Sequence, residues 1–410
     1  MTSQQPSDGD EARRVLAALV RESGRDVLAT LVRYTGDLAL AEDAVQDASL
    51  RALETWARDG VPENPVAWLR LTARRRAIDL IRREAGRQPK EAAAMLLGPD
   101  DEPVTGSVVQ DDLLRLVFTC CHPSLAPTTQ VALSLRTLCG LTTAEVARAL
   151  LVSEASMAKR LTRARQKIKL ARIPYRVPPD HELPERWAAV LATTYLLFNE
   201  GYAATDGPDL VRDDLVDQAV RLARLLVRLQ PDDAGAVGLL ALMLLQDSRR
   251  ATRVGPDGRA VLLADQDRTR WDADEIDEGV RLVGEGLRRT PDRPDRYVVQ
   301  AAIAACHALA PSYDRTDWAA VVSWYDVLLR IDPGPVVRLN RAAALAERDG
   351  AAAGLAAVDA IDGLAAYPWW HATRAVLLRR LGRDDEAAAA DALADRLPLN
   401  DPARRLPEPG

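Results

Sequence analysis

Residues 141–168, LTTAEVARALLVSEASMAKRLTRARQKI, leave the backbone little freedom. Thr142 followed three residues later by Glu145 forms a capping box: the hydroxyl accepts the Glu145 amide and the carboxylate reaches back to the Thr142 amide. Leu141 and Val146 occupy the staple positions around it. The spacing predicts a helix from Thr143 to about Leu150, a short turn, and a second helix after Ser153, itself a good N-cap. Two helices joined in this way have the spacing of a helix-turn-helix. On the second helix Met157, Leu161, Ala164 and Ile168 fall on one side, and Ser156, Lys159, Thr162, Arg163 and Gln166 on the other. The first face docks on the preceding helix. The second carries the cations and hydrogen-bonding groups that suit phosphates and base edges in a major groove. An Arg-rich solvated helix is the plain alternative.

Charge distribution strengthens the nucleic-acid reading. The chain nets −6 over 410 residues, yet residues 68–90 and 153–173 each net +6, leaving −18 for the remainder. Basic charge confined to two short segments of an acidic protein gives two candidate polyanion contacts and not a generally adhesive surface. In the first segment, NPVAWLRLTARRRAIDLIRRE (64–84), Trp68 and Leu71 point toward a core, and Arg74, Arg75, Arg76, Arg82 and Arg83 surround Asp79 in sequence. The preceding stretch, residues 36–56, carries an apolar stripe of Ala44, Val45, Ala48 and Leu50 and a polar face of Glu42, Asp43, Gln46, Asp47 and Glu54. One helix repels DNA while its neighbour attracts it.

An all-α chain of several units is expected. Ala, Leu, Arg and Asp dominate, hydrophobic residues make up 48% and charged residues 28%, which describes a globular and helix-favouring composition. Gly, Pro and Asn at YTGD (34–37) and DGVPENP (59–65) punctuate the helices of a first part, 10–88. A linker, 89–109, precedes the helix-turn-helix unit, 110–173, and IPYRVPPDHELPE (173–185) forms a proline-dense hinge. The remainder, 182–405, repeats loosely: Gly350 and Gly382 lie 32 residues apart, each between Ala-rich helices. That period is close to the tetratricopeptide length and predicts stacked helix pairs.

The string AED-VQDA, the Trp, the NP-AWL and the ARRRAID-IRRE run, followed by a linker and a helix-turn-helix, resembles the extracytoplasmic-function group of sigma-70 RNA polymerase sigma factors. YLLFNEGYAA (195–204), ALMLLQDSRRATRV (241–254) and LLADQDRTRWD (262–272) resemble the subgroup with a tetratricopeptide-like C-terminal extension. The resemblance implies sigma region 2 at 10–88, region 4 at 110–173 and a helical extension at 182–405. It implies that Asp43, Gln46, Asp47 and Arg51 dock on core RNA polymerase. Trp68, Arg74, Arg75, Arg76, Asp79, Arg82 and Arg83 would capture the −10 promoter element, although an Asn is common in the family at the position of Arg75. Glu154, Ser156, Lys159, Arg160 and Arg163 would lie at the −35 element. Core polymerase, promoter DNA and a protein partner of the C-terminal array are the expected partners.

Other motifs point to structure. TCCHP (119–123) lacks zinc-ligand spacing and a second thiol pair, so Cys120, Cys121 and His122 are expected to pack and hold no metal. Cys139 and Cys306 complete no disulfide framework. Glu200 in FNEGY has no evident catalytic partner, and Gly201 is placed to end the preceding helix. DQDRTRWD (265–272) reads as an internal ion-pair corner around Trp271, and Trp318, Trp324, Trp369 and Trp370 as core. With few His and no phosphate-binding Gly loop, no enzyme and no cofactor are expected. No apolar run is long enough to cross a bilayer, and the N-terminus lacks a secretory h-region, which predicts a cytoplasmic protein. The competing reading is a helix-turn-helix regulator with a helical sensor array that works without polymerase docking.

Overall fold

The computed structural model describes residues 8–84, 106–150, 152–204 and 210–397. Its described residues contain helices and no strand, apart from one isolated bridge between Val254 and Ala260. The chain divides into two compact units, Met1–Leu197 and Phe198–Gly410.

The first unit opens with α1 (Asp8–Thr35), α2 (Leu38–Asp59) and α3 (Pro65–Glu84), each packed on the other two. The breaks fall where Gly and Pro foretold them. Asp37 caps α2 by accepting from the Ala39 and Leu40 amides at 2.9 and 3.2 Å, and Gly60 closes it at φ 84°. The buried stripe of α2 is Leu40, Ala41, Ala44, Ala48, Ala52 and Trp56. Leu50, expected in that stripe, is 53% exposed, and Leu71 of α3 is 39% exposed. Each lies two residues from buried positions on either side, Ala48 and Ala52 or Leu69 and Ala73, and so faces away from the seam. Most of the linker lies outside the described residues.

Next come α4 (Gly106–Cys120), which packs on α1, then α5 (Pro127–Thr137), α6 (Thr143–Ala149) and α7 (Glu154–Leu170). The capping box forms with both of its hydrogen bonds, and Ser153 caps α7. Leu141, Val146, Met157, Leu161, Ala164 and Ile168 are all buried, as the periodicity required. The proline-rich strap then leads to α8 (Leu183–Tyr202), whose residues up to Leu197 belong to this unit. Cys120, Cys121 and Cys139 are buried free thiols. Cys121 Sγ lies 3.2 Å from Thr193 Oγ1, and burial pushes its thiol up to about 11.

Among the described residues the second unit is a run of helices: α9 (Asp213–Leu229), α10 (Ala234–Asp247), α11 (Ala273–Arg289), α12 (Arg296–Leu309), α13 (Trp318–Ile331), α14 (Pro335–Asp349), α15 (Ala351–Asp359), α16 (Pro368–Arg380) and α17 (Asp384–Arg396). Most helices pack chiefly on their sequence neighbours, while α12 packs chiefly on α10, so the core is a chain of local clusters. Gly350 and Gly382 turn the chain at φ 95° and 70°, between α14 and α15 and between α16 and α17.

Glycine, more than alanine, sets the closest approaches in this unit. A Cβ at Gly238 of α10 would lie 2.5 Å from the Val298 amide nitrogen of α12, and one at Gly286 of α11 would lie 2.7 Å from Val298 Cγ2. Gly201 does not end its helix, because α8 continues to Tyr202. A Cβ there would meet the Val216 nitrogen at 2.7 Å, so close packing against the start of α9 explains this glycine. Trp318, Trp324 and Trp370 pack against buried clusters, and Trp370 Nε1 donates to the Val358 carbonyl at 3.1 Å. Trp369 departs from expectation at 36% exposed, being one position round α16 from the buried side.

Candidate nucleic-acid interface

Two sets of outward cations are laid out on α3 and α7. Arg75, Arg82 and Arg83 are exposed on α3 and form no ion pair with any described residue. Asp79 is exposed among them and likewise unpaired. Arg74 and Arg76 are half-buried: Arg74 lies 5.5 Å from the Tyr34 ring centroid, and Arg76 is bonded to Asp47 of α2. Trp68 is half-buried, its ring edge-on to the buried Trp56 with centroids 5.4 Å apart. Asn64 holds the start of α3 by accepting from the Ala67 amide at 3.0 Å. Four of the seven residues expected at the −10 element are thus exposed on α3, while Trp68, Arg74 and Arg76 are drawn partly into the helix seams.

On α7 the residues divide by face. Glu154, Ser156, Lys159 and Arg163 are exposed and Arg160 is half-buried. Lys159, Arg160 and Arg163 have no acidic partner among the described residues. Unpaired cations on an exposed helix face are available to phosphates, whose binding releases counterions. Thr162 and Gln166 are exposed on the same side.

The remaining cations of α7 are engaged within the unit. Arg165 pairs with Glu42 of α2, and Lys169 Nζ lies 3.1 Å from Asp37 Oδ2 at the α2 N-cap. Lys167 donates to the Ser124 carbonyl. The expected −35 reader is therefore tied by two ion pairs to the expected polymerase-docking helix. Two further ties span the same pair of subdomains. Arg33 of α1 reaches fully buried Asp112 of α4 at 3.1 Å. The Tyr175 hydroxyl, on the proline-rich strap, lies 2.9 Å from the Ala29 carbonyl and 2.6 Å from that of Asp112. Burial and the Asp112 carboxylate both raise its pKa, so it remains a neutral donor. The segment read as a hinge is thus anchored.

The four residues expected at polymerase lie on one helix with unequal exposure. Asp43, Gln46 and Arg51 are exposed; Asp47 is half-buried through its bond to Arg76. Sequence spacing gave no sign of the Glu42–Arg165, Asp37–Lys169 and Tyr175 contacts, because the partners are far apart in the chain, the nearest pair, Tyr175 and Asp112, by 63 residues. Among the described residues no group of three or more His, Cys, Asp or Glu side chains is placed to hold a metal ion, and no helix is long and apolar enough to cross a membrane.

Comparison with known families agrees with this geometry. Residues 19–87 match sigma-70 region 2, residues 115–168 match sigma-70 region 4, and residues 186–287 match a family of unknown function, DUF6596. The chain is also 43% identical over 361 residues to an uncharacterized protein of Rhizobium meliloti (strain 1021), covering 86% of this chain and 85% of the relative. The two matched regions bracket the outward cations of α3 and α7. The chain therefore belongs to the sigma-70 family, as an extracytoplasmic-function-type RNA polymerase sigma factor with a helical C-terminal extension.

Proposed function

We propose that region 2 (10–88) docks on core polymerase through Asp43, Gln46, Asp47 and Arg51 and engages the −10 element through Trp68, Arg74, Arg75, Arg76, Asp79, Arg82 and Arg83. Region 4 (110–173) reads the −35 element through Glu154, Ser156, Lys159, Arg160 and Arg163, and the array at 182–405 regulates initiation or recruits a protein partner. The observation that carries this reading is the juxtaposition of unpaired outward cations on α3 and α7 with the exposed acidic side of α2. A regulator working without polymerase has no use for such an acidic side.

The two elements lie roughly 25 base pairs apart, about 85 Å along B-DNA. Helices joined by Glu42–Arg165 and Asp37–Lys169 do not span that distance, so promoter engagement requires the two regions to part. Duplex opening costs about 1.4 kcal/mol per stacked step, and docking on polymerase supplies the binding energy for both changes. The acidic remainder of the chain opposes DNA binding by the free protein.

Reconstitution with purified core polymerase on a promoter library tests the reading. Start sites that depend on the protein and vanish on reversing Asp43 support it; tight sequence-specific binding to promoter DNA without polymerase favours the simple regulator. Run-off transcription comparing residues 1–197, the first compact unit, with the full chain gives the sign of the extension's effect.

A further inference from the structure

Three arginines of the second unit lie together without a counterion. Arg249, Arg253 and Arg268 are each half-buried, and none has a carboxylate within ion-pair distance among the described residues. Their neighbour Arg250 shows what pairing looks like here: it bonds Asp247 at 2.6 Å and Asp217 at 2.8 Å, with Asp213 at 3.4 Å. The ion-pair corner expected within DQDRTRWD does not form among the described residues: Asp267 accepts from the Thr269 amide and hydroxyl instead, and Arg268 of that motif is left over. A cation withdrawn from water is costly unless it is paired. Arg253 shows the strain, since burial pulls its guanidinium down to about 10.

The three are held by aromatic rings and backbone, both of which leave charge uncompensated. Arg253 lies 3.4 Å from the Tyr202 ring centroid and donates to the Tyr202 carbonyl. Arg249 lies 5.6 Å from the same centroid. Arg268 stacks 4.6 Å from the Trp271 centroid and donates to the Ala310 carbonyl at 2.8 Å and to that of His307. Arg249 links the group, because its charge acts on Arg253, Arg268 and His307 alike. Among the described residues three buried polar atoms here have no hydrogen-bond partner: Arg268 Nη2, His307 Nδ1 and Tyr202 Oη. Buried polar atoms are ordinarily satisfied, and clustered exceptions call for an occupant.

The three strings by which the second half resembles its subgroup, YLLFNEGYAA, ALMLLQDSRRATRV and LLADQDRTRWD, supply Tyr202, then Arg249 and Arg253, then Arg268 and Trp271. They are distant in sequence and meet at this cluster. The geometry points to an oxyanion-binding site in the C-terminal extension, and we propose that its ligand carries a phosphate group. Guanidinium forks match the oxygens of either phosphate or carboxylate. Three cations around one site favour the dianion over a monocarboxylate, which would leave a larger uncompensated charge. The arginines retain part of their surface in solvent, so a ligand reaches them without unfolding the unit.

Isothermal titration of the full chain with inorganic phosphate, phenyl phosphate and acetate, at constant ionic strength, tests the assignment. Saturable binding of inorganic phosphate, weakened about tenfold or more in Arg249→Gln by loss of a charge-assisted contact, is the expected result. Arg249 is chosen because its side chain makes no hydrogen bond to any described residue, and circular dichroism of the variant checks that it remains folded. Tighter binding of phenyl phosphate would identify an organic phosphomonoester as the ligand, and equal binding the phosphate group alone. Preference for acetate, equal binding by wild type and Arg249→Gln, or no saturable heat with any of the three overturns the proposal.

Discussion

Arg76 of α3 donates a hydrogen bond to Asp47 of α2, so a residue expected at DNA holds a residue expected at polymerase. Both side chains are part-shielded, at 19% and 35% exposed. A double-mutant cycle with Asp47→Asn and Arg76→Gln should give a coupling of about 0.5–1 kcal/mol in urea unfolding. Asp43→Asn, at an exposed position, should leave stability within about 0.5 kcal/mol while weakening polymerase association. If both aspartate variants weakened polymerase association without any change in stability, the Asp47–Arg76 tie would have no structural weight.

The ion pairs joining α2 and α7 predict a closed free chain. Reversal in Glu42→Arg or Arg165→Glu should raise the population of extended molecules in small-angle scattering. The double exchange, which restores the pair with opposite polarity, should return the compact profile. High salt should act like the single reversals, because the pair is partly open to solvent.

Gly238→Ala forces a methyl group into the space held by the Val298 backbone. Overpacking of this kind costs about 1–3 kcal/mol, and here the obstacle is main chain, so the upper part of that range is expected. Chemical denaturation followed through the transition of the second unit measures it. Pairing the change with Val298→Ala should recover little, since the nearest atom is the backbone nitrogen.

His307 should make the second unit less stable in acid. Burial, with Arg249 and Arg268 nearby, lowers its pKa from 6.5 to about 4. Between those values the unfolded chain binds a proton that the folded chain does not, so stability falls as pH drops from about 6.5 to 4 and then levels. In His307→Gln the slope over that window should shrink, while stability relative to wild type improves toward pH 4. Thermal unfolding at a series of pH values reads both.

Thr142→Ala removes the hydroxyl that accepts the Glu145 amide at 3.2 Å. A loss of about 1 kcal/mol is expected, with weaker −35-dependent transcription because α6 supports α7. Thr142→Ser should retain most of both.

Local rules carried the helix-turn-helix and the breaks between α1, α2 and α3. Thr142, Glu145, Ser153, Asp37 and Gly60 act within a few residues of themselves, so their effects are written in sequence spacing. The buried face of α7 followed from helical period for the same reason. Leu50, Leu71, Trp369 and Gly201 differ from the sequence expectation because period says which residues share a face and not where the neighbouring helix lies. A small-residue seam moved the buried stripe of α2, and a close approach, not a helix end, accounts for Gly201.

The sequence by itself determined the helical class, the order of segments and the two concentrations of positive charge, since backbone capping, amphipathic period and charge run are local properties. Only the tertiary structure decided which charges remain available. Arg163 and Arg165 are near neighbours on α7, yet one faces solvent and the other meets Glu42. Arg250 finds three carboxylates while Arg249 and Arg253, equally basic in sequence, find none among the described residues. Pairing depends on distances of a few ångströms between helices far apart in the chain, and packing, not spacing, sets those distances.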